Sequence, residues 1–378
     1  MKTAIFGSGF VARCHLDALS RLGAVVEVCG IASSDFEKAR RLGKEYGIEC
    51  VKSNYRELLE SSTVDVVHVC TPNSLHFSIA SDALHAGKHV LCEKPLATNV
   101  EQAEKLVRLA EEKNVRNCTC YNLRFYPLVQ QMRAMCSSGE LGELLVVQGT
   151  YSQDWLLAQT DWNWRLDSKV NGPSRAMADI GSHWCDMAEF VTGQKITSLC
   201  ADLQTFHKTR RKPKETAQTF SSSAPSQLDC VDTEVDTEDF GAVLFRMGDR
   251  TRGAFTASQV AGGRKNHLLL EVFGTLASVA WDAENPNELW VGKRDESNRI
   301  LVKDPALLHR SARVYADLPG GHAEGYDGTF KQLFRNFYRS VSDAEVEPMY
   351  PQFRDGQRQL AIVQSELASN SKHAWIDV

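Results

Sequence analysis

The chain has 378 residues, 43% hydrophobic and 24% charged, the balance of a globular protein with room for two domains. A net charge of −5 gives no general attraction to phosphate backbones and argues against a nucleic-acid partner. No apolar run approaches the roughly 18–20 residues that cross a bilayer, and Met1-Lys2 leads into too short an apolar run for a cleavable leader, so a soluble, cytoplasmic protein with no membrane partner is expected. Lys2–Phe6 reads as a strand that ends in glycine, and Val11, His15, Leu16, Leu19 and Leu22 then recur at helical spacing. Val25–Ala32 is a second strand, Asp35–Tyr46 an amphipathic helix, Asp65–Cys70 a third strand, and a helix over 74–86 closes at Gly87. His89–Cys92 is another strand, Thr98 and Glu101 form a capping box for a helix to Lys113, and Val115–Tyr121 is one more strand. Such alternation implies parallel strands joined by right-handed crossovers, an α/β doubly wound Rossmann domain over 1–122.

After Asn122 the pattern changes. Pro127–Ser138 reads as a helix, followed by β-like stretches at 144–151, 198–206, 242–245, 253–258, 267–273 and 277–281, with helices over 330–341 and 353–369. Few helices separate these strands, so a second domain over 123–378 is expected, α+β with a large open mixed or antiparallel sheet. His207–Asp236 runs from basic (Lys208, Arg210, Arg211, Lys212, Lys214) through Ser221-Ser222-Ser223 to acidic (Asp229, Asp232, Glu234, Asp236), and reads as a solvated, mobile insertion. The eleven cysteines show neither CxxC nor zinc spacing and read as reduced, mostly buried thiols.

Gly7-Ser8-Gly9-Phe10-Val11-Ala12 joins the first strand to the first helix. Gly7 permits a tight turn, Gly9 lets backbone approach a pyrophosphate, and Ala12 allows close helix–strand packing, while the helix N-terminus offers N–H groups to the anion. In this context the loop indicates a dinucleotide. Where an NAD enzyme commonly places a carboxylate on the adenosine ribose, this chain has Ser33 and Ser34, with Lys38 a turn further on. Two hydroxyls and an ammonium suit a 2′-phosphate, so the expected cofactor is NAD(P), with NADP slightly favoured over NAD. Ser33–Asp35 equally reads as a cap for the following helix, and the two readings are compatible.

Four features in order resemble the glucose-fructose oxidoreductase / inositol dehydrogenase / MocA-like (Gfo/Idh/MocA) family: the glycine loop, Thr71-Pro72-Asn73 with His76, Glu93-Lys94-Pro95, and Asp179-Ile180-Gly181-Ser182-His183. The resemblance implies that Thr71, Pro72, Asn73, His76, Glu93 and Asn122 line the cofactor. It implies that Lys94 meets both cofactor and substrate hydroxyl, that His183 is the acid/base, and that Asp179 is its substrate-side partner. Arg124 and Trp164 are implied at the substrate and Arg165 at the cofactor. Chemistry agrees with this: an ammonium can polarise the substrate oxygen, and an imidazole can accept its proton as hydride leaves the adjacent carbon. Asp179 and His183 are four apart on an expected helix and share a face. With Asp186 the pair would also suit a metal, but no further ligand has convincing spacing, so none is expected.

The expected activity is an NAD(P)-dependent dehydrogenase that oxidises a ring hydroxyl of a sugar, cyclitol or related polyol, with Lys94 and His183 handling the proton. Tyr121, Trp155, Trp162 and Trp164 offer aromatic surface for a sugar ring. The resemblance also implies a homo-oligomer, dimer or tetramer, through the open sheet. Two rivals stand beside this reading: a glycoside-cleaving relative that retains its cofactor, and a non-catalytic dinucleotide-binding sensor, against which the presence of both Lys94 and His183 counts.

Overall fold

The computed structural model describes residues 1–214 and 230–378. Two compact units emerge, one of Met1–Asn122 with Tyr326–Leu360 and one of Leu123–Gly325 with Ala361–Val378.

In the first unit six parallel strands lie in the order β3-β2-β1-β4-β5-β6: β1 Lys2–Phe6, β2 Glu27–Ala32, β3 Val51–Lys52, β4 Val66–Val69, β5 His89–Cys92 and β6 Asn117–Thr119. The order reverses between β1 and β4, and the carboxyl ends of strands at such a switch point form the ligand crevice of doubly wound sheets. Helices α1 (Phe10–Ser20), α2 (Phe36–Tyr46), the short α3 (Arg56–Leu59), α4 (His76–His85) and α5 (Val100–Glu112) connect them. Both faces of the sheet are covered, so β4 is buried throughout, including His68 in its middle. The α5 cap differs from the expected box by one residue. Asn99 rather than Thr98 caps the helix, its side chain accepting from the Gln102 N–H, while the Gln102 amide oxygen accepts from the Thr98 backbone and hydroxyl. Asn99, one residue closer to the helix and among the strongest N-cap residues, takes the cap. Helix α10 (Tyr326–Ser342) packs on α1, and Phe353 and Leu360 of α11 (Phe353–Lys372) join the apolar core of this unit.

The second unit carries α6 (Pro127–Ser137), α7 (Ser168–Asn171), α8 (Ser182–Thr192) and α9 (Arg310–Arg313) with a nine-stranded sheet. Its strands are β7 Leu144–Ser152, β8 Ile196–Gln204, β11 Phe240–Met247, β12 Thr251–Ser258, β13 His267–Gly274, β14 Ser278–Asp282, β15 Glu288–Gly292, β16 Arg299–Val302 and β17 Ile376–Asp377. The order is β16-β15-β14-β13-β7-β12-β11-β8-β17, antiparallel except for the β7/β12 pair, so the sheet is mixed as expected. One face carries α6 and α8. Trp184 of α8 stacks on Phe255 at 4.5 Å between ring centroids and donates its indole N–H to the Leu269 carbonyl. Gly149 makes this approach possible: a Cβ there would lie 1.9 Å from the Leu269 oxygen.

The segment 207–236 is not wholly loop. Thr209–Pro213 (β9) and Cys230–Glu234 (β10) pair antiparallel, and Ser221–Ser223 and Asp229 fall outside the described residues. Nor is its basic run fully solvated. The Arg210 guanidinium is completely buried, donating to the carbonyls of Leu156 and Ala158 and to Asp239. All eleven cysteines are free thiols, five buried and six partly so, fewer fully buried than expected. No helix among the described residues is long and apolar enough to cross a membrane.

Candidate active site

At the carboxyl edge of the parallel sheet, Gly7 has φ +120°, and a Cβ would lie 2.3 Å from the Cys70 carbonyl oxygen, so only glycine fits the turn. At Gly9 a Cβ would meet nothing within 4 Å, leaving open space over the start of α1, and no side chain caps that helix. Ala12 is fully buried, as close helix–strand packing requires, while Phe10 is exposed and Val11 partly so. Ser8 and Ser33 share a hydroxyl hydrogen bond of 2.9 Å, tying the glycine loop to the end of β2. Ser34 is exposed, and the Asp35 carboxylate accepts the Lys38 N–H to cap α2. Thr71 Oγ1, in the turn after β4, is buried without a hydrogen-bond partner. An uncapped helix start behind a glycine cradle, with a buried hydroxyl unspent beside it, fits a dinucleotide.

His76 has a different position from the one expected at a cofactor. It is 1% exposed, and its two ring nitrogens lie 2.7 Å from the Pro95 carbonyl and 2.8 Å from the Thr71 carbonyl. The ring lies between the Thr71-Pro72-Asn73 and Glu93-Lys94-Pro95 turns, and burial pushes its pKa down, which leaves one N–H for the nearer Pro95 carbonyl. Asn73 is buried, as is Asn122, whose amide donates to Thr329 Oγ1 at 2.7 Å. Glu93 turns its carboxylate inward: Oε1 is 2.9 Å from His15 Nε2, and Oε2 accepts the Lys94 backbone N–H at 3.2 Å. Burial pushes this carboxyl up, but the hydrogen bond from His15, with the Lys94 charge, outweighs it and leaves the group below the usual range. Lys94 itself is partly exposed.

In the second unit Asp179 lies in a π-helical turn, Met177–Gly181, and His183 is the second residue of α8, so the uniform α-helix assumed from their spacing gives way to a wider turn just before it. Such turns are frequent at functional sites because the extra residue re-aims a side chain. The Asp179 Oδ2 accepts from the Gln259 amide at 2.9 Å, and Arg165 Nε lies 3.4 Å from Oδ1. Arg165 also stacks on Trp164, 4.5 Å from the ring centroid. Thus Arg165, Trp164 and Asp179 come together. His183 is 8% exposed, with the Tyr151 ring 6.5 Å away. Arg124 makes a two-point pair with Asp186, at 2.7 and 2.5 Å, and lies over the Phe190 ring. Of the aromatic candidates, Tyr121 is a core residue at 1% exposure, and Trp155 and Trp162 pack on Leu156, Leu166 and Val235.

Behind Asp179 stands a group that the sequence reading missed. Arg175 donates to the Gln259 side-chain oxygen at 2.7 Å and to Asp239 at 2.5 Å, and Arg210 donates to the same Asp239 oxygen at 2.7 Å. Arg175, Arg210 and Asp239 are all 0% exposed. Burial pushes the Asp239 carboxyl up, but Arg175 and Arg210 bring it below its ordinary value. No local signal in sequence marks this group, because Arg210 sits in a charge run and Asp239 is 29 residues away. The missed residues of the first unit, His15 and His68, did leave a signal, since each is a polar residue at an apolar position of its element.

Comparison with known proteins agrees with both units. Residues 1–121 match the GFO_IDH_MocA model, an oxidoreductase family with an NAD-binding Rossmann fold, and residues 129–280 match the GFO/IDH/MocA C-terminal domain. Glucose-6-phosphate 3-dehydrogenase of Bacillus subtilis is 30% identical over 98% of this chain and 97% of its own length. A solved levoglucosan dehydrogenase in complex with NADH superposes with a TM-score of 0.89 at 28% identity, covering 100% of this chain and 99% of the other. An inositol dehydrogenase homolog complexed with NAD+ from Azotobacter vinelandii gives 0.87 at 26%, covering 100% and 97%. The chain belongs to the Gfo/Idh/MocA family of oxidoreductases, with an NAD-binding Rossmann domain.

Proposed function

We propose that the protein is an NAD(P)-dependent dehydrogenase that oxidises a ring hydroxyl of a sugar or cyclitol to the ketone or lactone. The observation that carries the reading is full-length likeness to dehydrogenases named for such substrates, joined to a glycine cradle and an unspent Thr71 hydroxyl that suit a dinucleotide. The bound nicotinamide supplies the hydride acceptor. The pyrophosphate is held by Gly7, Ser8, Gly9, Phe10 and Val11, and the nicotinamide half by Thr71, Pro72, Asn73 and Asn122, with Arg165 as a further contact. Lys94 polarises the substrate oxygen, His183 accepts the hydroxyl proton, and Asp179 binds a neighbouring hydroxyl or orients the imidazole. Arg124 and Trp164 complete the substrate side supplied by residues 123–378. At the adenosine ribose, β2 ends in Ala32 and the hydroxyls of Ser33 and Ser34 follow, with the Asp35 carboxylate occupied in capping α2, so NADP is favoured over NAD. The open sheet face that carries Val146 and Leu244 exposed serves as a homo-oligomer interface, and the free thiols are in keeping with a cytoplasmic protein.

The test follows nicotinamide reduction by absorbance with NAD or NADP across a panel of sugars, cyclitols and glycosides. A substrate-dependent rise that disappears in Lys94→Ala and in His183→Ala supports the reading, and the ratio of kcat/KM for the two cofactors decides between them. A silent panel with bound dinucleotide overturns it. Glycoside cleavage without net reduction would then identify the retained-cofactor reaction.

A further inference from the structure

Beneath Lys94 runs a line of buried polar groups that the proposed chemistry does not use. Thr3 Oγ1 is 2.7 Å from the Tyr338 hydroxyl, which is 2.9 Å from His68 Nε2. His68 Nδ1 is 2.9 Å from His15 Nδ1, and His15 Nε2 is 2.9 Å from Glu93 Oε1. Thr3, His15 and His68 are 0% exposed and Tyr338 1%. Five elements supply them: β1, α10, β4, α1 and the end of β5. Burying this many polar groups is costly unless every donor meets an acceptor.

The hydrogens follow from the acceptor at one end. An ionised carboxylate only accepts, so His15 Nε2 carries a hydrogen. A neutral His15 then has a bare Nδ1, and His68 Nδ1 must donate to it. His68 Nε2, bare in turn, accepts the Tyr338 hydroxyl, whose oxygen accepts from Thr3. The alternative places a second proton on His15 and reverses every bond behind it. Cys70 suits the first arrangement: its Sγ is 3.2 Å from His15 Nδ1, and burial keeps it a thiol, whose hydrogen a bare Nδ1 can accept. Burial also holds His68 well below the usual imidazole range.

We propose that His15 is a positioning residue for the Lys94 turn, the last link of a one-way relay Thr3→Tyr338→His68→His15→Glu93 that fixes the carboxylate holding the Lys94 backbone. The proposal rests on the reading of Lys94 as catalytic. His76 secures the same turn from its other side through the Pro95 carbonyl. The groups that face Glu93 are His15 and Cys14 of α1, Cys70 after β4, His76 of α4, Cys92 of β5 and Cys120 after β6, with Lys94 adjacent. Among these His15 supplies the largest contribution that keeps the carboxylate ionised.

Two measurements on the full chain test this. The first is imidazole ¹⁵N NMR of the histidine-labelled wild type, with His15→Gln and His68→Gln assigning the signals. Expected is a neutral His15 protonated at Nε2 and a neutral His68 protonated at Nδ1; a doubly protonated His15, or the opposite tautomer at either ring, overturns the relay. This readout needs no turnover, so it remains informative if the dehydrogenase reading fails. The second is the pH profile of kcat for His15→Leu and His15→Gln. Without its donor the buried Glu93 carboxyl rises, so His15→Leu should lose about 10-fold or more in kcat, with its acid limb moved to higher pH. His15→Gln, whose amide both donates and accepts, should restore most of both. An unshifted acid limb in His15→Leu, or a His15→Gln no better than His15→Leu, contradicts positioning and leaves only packing.

Discussion

The two units bury polar groups in opposite ways. In the first, Glu93 is a single carboxylate at the end of a line of hydrogen-bonding groups, two imidazoles and two hydroxyls. In the second, Asp239 sits between two guanidiniums, all three fully buried, and Arg175 passes the constraint through Gln259 to Asp179. A line of hydrogen bonds gives up little when one link is conservatively replaced, because a substitute that still donates keeps the Glu93 carboxylate paired. A charge cluster has no such tolerance, since removing one member strands the others where water cannot reach. The contrast suits their positions: the first network sets a turn that holds a lysine, and the second braces a π-helical turn that holds an aspartate.

The largest effect should come from breaking the ionic cluster. Asp239→Asn leaves two guanidiniums without their carboxylate and should cost about 3–5 kcal/mol in chemical denaturation. A loss no larger than that of a surface substitution would remove the contrast. Tyr338→Phe interrupts the other network, leaves His68 and Thr3 short of one partner, and should cost about 1–3 kcal/mol. Gln259→Leu keeps the guanidiniums paired with Asp239 but disconnects Asp179. Its expected signature is a kcat lower by about 10-fold with a stability loss of about 1–3 kcal/mol, smaller than that of Asp239→Asn, because Arg175 Nη1 also loses its acceptor. Equal losses of stability in Gln259→Leu and Asp239→Asn would mean that the bridge serves the fold rather than the site.

The smallest effect is one of pH. Glu93 and Asp239 are both held below their ordinary pKa values, so the stability they contribute is present above the unfolded-state carboxylate range and is lost as pH falls through the folded values. Glu366 on α11 has the opposite sign. It is buried, both side-chain oxygens lack a partner, and burial with the nearby Glu238 charge pushes its pKa well up. Its contribution is present below the unfolded value and is lost as pH rises toward the folded one. Glu366→Gln should therefore flatten the decline in stability above about pH 4.5, by at most about 1.4 kcal/mol per pH unit. An unchanged slope between mildly acidic and alkaline pH would show that Glu366 is ionised in the fold.

Much of this was legible in the chain. β1, β4 and β5 appear as short apolar runs, and Gly7 marks the turn that only glycine can take. These signals are local, set by neighbours within a few residues. What the sequence hid depends on distant partners. Arg210 resembles the partly exposed Arg211 beside it until Asp239, 29 residues on, is brought against it. His15 and His68 are 53 residues apart, and their polarity is matched only when α1 lies on β4. β15 and β16 were missed because they are short strands, and β16 at the edge of the sheet is largely exposed, so neither shows a long apolar run. Of the candidate site, the positions of Lys94, Asp179 and His183 were readable from motifs, but the groups that support them were not.

The most direct test of the account compares wild type with Lys94→Ala under saturating substrate and cofactor, with dinucleotide binding measured on the same preparations. The account predicts that Lys94→Ala binds dinucleotide within a few-fold of wild type while kcat falls by about 10²–10⁴-fold, the range of a lost general acid–base group. A Lys94→Ala enzyme that turns over at the wild-type rate would contradict it.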